Sequence, residues 1–161
     1  LAPKLSSFFS KGEISSFKVF SKFSSLIGII TALPIYIIFM IFGLDILNLF
    51  GDSYQESFYI LILLSTAQFI NAGVGSVIYI LIMSGYEKLL RNINFITLAI
   101  CLLIAPILIQ NYGSLGAAYL NTFIIIFVNF ASLMIIRIRL NFWVTPNLSF
   151  KILKSLLTNK I

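Results

Sequence analysis

Four long apolar runs, at residues 24–42, 58–83, 93–109 and 117–136, dominate the chain, with short polar stretches between them. At about 1.5 Å per residue, each run predicts a helix of roughly 25–40 Å, which suits a hydrocarbon core of about 30 Å. The second run is long enough to tilt or to protrude. The third is the shortest, and Pro106 near its end predicts a kink or an early stop, while Pro34 predicts a bend in the first. Both prolines fit a membrane helix, because neighbouring helices can satisfy the carbonyls they free.

Polar residues are not scattered within the runs. At roughly 100° per residue, Ser65, Gln68, Asn71, Ala72 and Gly75 fall within about 120° of one face of the second helix. Ala118, Asn121, Thr122, Asn129 and Ser132 span about 100° of the fourth. Asn94, Thr97, Cys101 and Ala105 make a similar band on the third. The opposite faces carry mostly Ile, Leu, Phe and Val, so each helix has a lipid side and a protein or cavity side. Two explanations stay open. Small residues let helices approach and amides bond across the interface, or Gln68, Asn71, Gly75, Asn121 and Asn129 line a substrate path. The pair Gly73 and Gly75 lies inside the second predicted helix and is no nucleotide-binding loop.

Outside the runs, Leu5, Phe8, Phe9, Ile14, Phe17 and Phe20 recur at helical spacing among serines and lysines. Residues 1–23 therefore read as a cytoplasmic amphipathic segment lying at the membrane interface, broken near Gly12, unless some of its phenylalanines pack on helices expected to precede Leu1. Residues 24–136 form the transmembrane region, and residues 137–161 a basic cytoplasmic tail.

Composition agrees with lipid as the solvent. Of 161 residues, 60% are hydrophobic and 10% charged, against about 45–50% and 25% in soluble domains. The expected fold is an all-α membrane protein with four transmembrane helices and an N-terminal amphipathic interfacial helix.

The net charge of +6 suggests nucleic acid until the charges are placed. All 11 basic residues precede the first run, lie between the second and third, or follow the fourth. Asp45, Asp52 and Glu56 lie on the other side. The positive-inside rule then puts both termini in the cytoplasm, and the lysines meet anionic headgroups rather than nucleic acid.

The chain has no His and one cysteine, Cys101, in an apolar run. No nucleophile–base pair, paired carboxylates or CxxC motif is visible, so neither enzyme chemistry, a metal site nor a cofactor is expected. Asp45, Glu87 and Lys88 read as solvated loop charges, and Tyr36 and Trp143 as interface anchors.

Four segments in order carry a resemblance: APKLSSFFSKGE at 2–13, ILNLFGDSY at 46–54, LSTAQFINAGVGSVIYILIMSGYEK at 64–88 and LIQNYGSLGAAY at 108–119. Together they resemble the Wzx-type polysaccharide flippases, relatives of the multidrug and toxin extrusion transporters. Gln110 stands where that family often has proline, Ser84 where threonine is usual, and the tail after Asn141 has no counterpart. The resemblance implies the C-terminal lobe of a roughly twelve-helix transporter of the bacterial inner membrane, with further helices before Leu1. It would translocate lipid-linked oligosaccharide units of the undecaprenyl-pyrophosphate type by alternating access. It also implies Gln68, Asn71 and Gly75 as a cavity or gate face. A multidrug or cation exporter of the same superfamily, and a non-transporting four-helix assembly protein, are the alternatives.

Overall fold

The computed structural model describes residues 14–144, together with Ser7. The expected interfacial segment before residue 14 (Ser7 apart) and the tail from residue 145 lie outside the described residues. Helix α1 spans Ile14–Asn48, followed by a turn and a 3-10 helix, Asp52–Ser57. Helix α2 spans Phe58–Val74, α3 Val77–Met83 and α4 Glu87–Leu140. No strand occurs among the described residues. Three helical stretches, Ser15–Asn48, Ser53–Val74 and Glu87–Leu140, are long and apolar enough to cross a membrane.

The helix expected to begin near Ser24 extends back to Ile14 and runs unbroken through Pro34. Residues 14–23, part of the segment expected at the interface, are thus continuous with a long apolar helix. Its Phe17 and Phe20 are buried, packed with Val77, Ile80 and Leu81 of α3, Leu90 and Ile136 of α4, and Phe142 and Val144 beyond it. This cluster is the main core, and it sits at the basic end of the molecule. Lys18 lies over the Phe142 ring at 5.4 Å, and Arg137 over Trp143 at 5.7 Å.

The second run is not one helix. It is divided at Gly75, where φ is 74° and ψ −141°, so α2 ends at Val74 and α3 begins after Ser76. With seven residues, α3 is too short to be helical alone. It is held because Val77, Ile80 and Leu81 are each fully buried in the core. Its end has a specific geometry: the Tyr86 amide donates to the Leu81 carbonyl at 2.9 Å and the Gly85 amide to Ile82 at 3.2 Å. With Gly85 at φ 78°, that is a Schellman stop, which needs a residue free to turn left-handed. The turn at Ser84–Tyr86 is thereby set by its glycine rather than by the charges of Glu87 and Lys88 that follow it.

The reversal expected around residues 110–116 is made at a single residue rather than by a loop. Helical backbone continues through Pro106 and resumes at once after Gly113, whose φ of 56° and ψ of −131° are non-helical. A straight helix of 54 residues would measure about 80 Å. Instead, a Cβ built on Gly116 would overlap the Leu108 carbonyl, so the chain doubles back within a few residues of Gly113. α4 is thus two antiparallel halves hinged at one glycine.

Between its ends the molecule exposes an unusual number of large apolar side chains, among them Ile41, Phe95, Leu102, Leu103 and Phe130. Asp45 and Glu56 are exposed at the α1–α2 turn, beside Leu49 and Phe50, which are 85% and 72% exposed.

Candidate functional site

Where α1 meets the α2–α3 break, nearly every residue is small. Ser25 Oγ donates to the Gly73 carbonyl, and Ser76 Oγ donates to Ser24 Oγ at 2.9 Å. A Cβ on Gly28 would overlap the Ala72 carbonyl, and one on Gly75 would lie 2.9 Å from the Ser25 backbone. The backbones therefore touch. Ending α2 at Val74 frees carbonyls that water cannot reach in an apolar setting, where each unmet group is costly. Ser25 meets one of them, and the Gly75 amide returns to Ala72 at 3.1 Å.

One turn earlier on α2, three amides join. Asn71 Nδ2 donates to Gln68 Oε1 at 3.3 Å, and Asn129 Nδ2 donates to Asn71 Oδ1 at 2.9 Å. The second hydrogen of Asn129 goes to the Ile125 carbonyl at 2.9 Å, so both its donors are used inside the protein. Asn129 is 5% exposed. Gln68 and Asn71 are exposed, and Gln68 also lines a groove of about 320 Å³ between α1 and α2, with Tyr36, Ser65 and Phe69. Tyr36 stacks on Phe69 at 4.9 Å and its hydroxyl lies 3.2 Å from Thr66 Oγ1.

The structure thus brings together three of the five residues singled out from the sequence: Gln68, Asn71 and Asn129. Gly75 serves the helix break, against Ser25, and sits a turn away. Asn121 is exposed elsewhere on α4. In the band on the first half of α4, Thr97 and Cys101 are buried, whereas Asn94 is exposed. Thr97 spends its hydroxyl on the Ile93 carbonyl at 2.8 Å. Two hydroxyls on the second half of α4, those of Thr122 and Ser132, are buried without a hydrogen-bond partner among the described residues.

Sequence reasoning missed Ser24, Ser25, Gly28 and Ser76. The signal was present, since Ser24, Ser25 and Gly28 share one face of α1 at small-residue spacing. It was hidden because serines at the start of an apolar run resemble a boundary. Tyr36 is held by Phe69 and Thr66 rather than serving only as an interface anchor.

Chemically, this constellation offers neutral hydrogen-bond donors and acceptors and no charge. Among the described residues no group of His, Cys, Asp and Glu is placed to hold a metal ion. The arrangement can bind hydroxyls or water at Gln68 and Asn71, and can lock helices together at Asn129. No family model matches the sequence, and no curated protein or solved structure matches it either.

Proposed function

We propose that this chain is a membrane-embedded helical unit of a transporter, part of the C-terminal lobe of a flippase for lipid-linked oligosaccharides. The observation that carries the reading is the broken helix at Gly75, one turn from the amides of Gln68 and Asn71. Non-helical backbone inside a membrane is tolerated where protein buries it or a cavity borders it, and transporters build their sites at such discontinuous helices. The four family-like segments supply the cargo class. In this reading α4 crosses twice, giving four spans, and the basic ends face the cytoplasm of a bacterial inner membrane.

The test replaces Gln68 or Asn71 by Leu in the full protein and measures glycan export against protein abundance. Reduced export at constant abundance supports the reading, and loss of abundance alone overturns it. A second reading, a non-transporting helix assembly, is favoured by one observation: both donors of Asn129 are spent on helix contacts. It expects the Gln68 and Asn71 variants to keep full export wherever the protein is stable.

A further inference from the structure

The basic end carries a second feature that none of the above uses. Between α3 and the start of α4 lies an open groove of about 350 Å³, lined by Ile82, Glu87, Arg91, Asn94, Phe95 and Leu98. Its volume falls within the range of small-ligand sites, about 300–1,000 Å³. The polar members occupy one end. Glu87 and Arg91 are one helical turn apart and both exposed, with Asn94 next along the same face. The apolar members follow: Phe95 and Leu98 continue the Arg91 face deeper into the apolar run, and Ile82 closes the other wall. They are 63%, 54% and 47% exposed, far more than an aqueous setting favours.

Polarity thus changes along the groove as it changes along a phospholipid. The charges are informative because both signs are present. An anionic headgroup satisfies Arg91 but meets repulsion from Glu87. A phosphate followed by an ammonium satisfies both, at the spacing of one helical turn. A primary ammonium can also donate hydrogen bonds to a carboxylate, which a quaternary ammonium cannot.

We propose that this groove is a site for phosphatidylethanolamine, with the phosphate on Arg91 and Asn94, the ammonium on Glu87, and an acyl chain along Ile82, Phe95 and Leu98. The occupant comes from the bilayer leaflet at the basic end. The inference rests on the membrane reading of the long helices and not on transport.

The experiment is native mass spectrometry of the full protein released from detergent with equal amounts of phosphatidylethanolamine, phosphatidylcholine and phosphatidylglycerol. The wild type is expected to retain phosphatidylethanolamine roughly fivefold over the other two, the size of one charge contact at a membrane surface. Glu87→Gln should erase the preference over phosphatidylcholine and raise retention of phosphatidylglycerol. Arg91→Gln should lose all three lipids, and Arg91→Lys, which keeps the charge, should retain phosphatidylethanolamine. Leu98→Trp, which fills the groove, should reduce all three alike. A wild type that prefers phosphatidylglycerol, or an unchanged preference in Glu87→Gln, overturns the proposal. So does a result in which Glu87→Gln and Arg91→Gln lower thermal stability equally and leave lipid retention alone, since the two residues would then serve only each other. Carbonate extraction of membranes separates the two inferences. A chain that is stripped from the membrane overturns both, and one that stays without the lipid preference overturns the site alone.

Discussion

Asn129 on the second half of α4 donates to Asn71 on α2 at 2.9 Å, linking positions 58 residues apart. The bond joins a buried residue to an exposed one. Removing it should be felt chiefly as stability. Asn129→Ala is expected to destabilise by about 1–2 kcal/mol, since it also strips a partner from Asn71. A double-mutant cycle with Asn71→Ala in mixed micelles should return a coupling of about 0.6 kcal/mol, the average for such bonds in membranes. A coupling near zero would mean that the bond contributes nothing.

Ser132 lies one turn from Asn129 on the same face, fully buried and without a partner among the described residues. Ser132→Ala should therefore go the other way. It deletes an unmet hydroxyl and improves helix propensity, for an expected gain of about 0.5–1 kcal/mol. Unfolding of the two variants side by side checks the opposite signs.

The glycines should separate by mechanism. Gly85 has φ 78° with open space around its Cβ position, so Gly85→Ala should cost about 1 kcal/mol of backbone strain. Gly85→Asn should cost less, because asparagine accepts left-handed backbone. Gly75 has a similar φ of 74° but the Ser25 backbone lies 2.9 Å from its Cβ position. Gly75→Asn should therefore be as damaging as Gly75→Ala, each costing more than about 2 kcal/mol. Thermal unfolding of the four variants reads the contrast.

Gly113 offers a test of chain direction. In a Cys101→Ser background, cysteines at Leu49 and Tyr112 should react with an impermeant maleimide from one side of the membrane. Cysteines at Lys88 and Arg139 should react from the other. Labelling of Tyr112 and Lys88 from the same side would mean that the first half of α4 does not cross. Gly113→Ala, at a backbone conformation nearly confined to glycine, should cost about 1–3 kcal/mol.

The long apolar helices were legible because hydrophobic content and length speak without any tertiary context. The breaks were not. Gly73 and Gly75 in an apolar run read equally as packing residues or as a stop, and what decides is the Ser24–Ser25 pair about fifty residues earlier: Ser25 takes up the Gly73 carbonyl and Ser24 accepts from the Ser76 hydroxyl. The same holds for Gly113: polar neighbours suggested a seven-residue loop at 110–116, but one glycine with a suitable ψ is enough to reverse the chain. Of the polar stripes, periodicity correctly put Gln68 and Asn71 on one face. It had no means of fixing how α4 sits lengthwise against α2: Asn121 and Asn129 lie within the same 100° arc but about 12 Å apart along the axis, and only Asn129 is level with Asn71.

The burial of α3 also sets an order of events during synthesis. This short helix leaves the ribosome long before Phe142 and Val144, which complete its surroundings together with Phe17 and Phe20. At about 5–20 residues per second, it waits several seconds beside an incomplete core. Membrane insertion of the flanking helices is therefore decided while the basic end is still open. A ribosome that stalls within α4 would leave a chain threaded correctly yet unsealed, with Val77, Ile80 and Leu81 presented to whatever apolar surface arrives first.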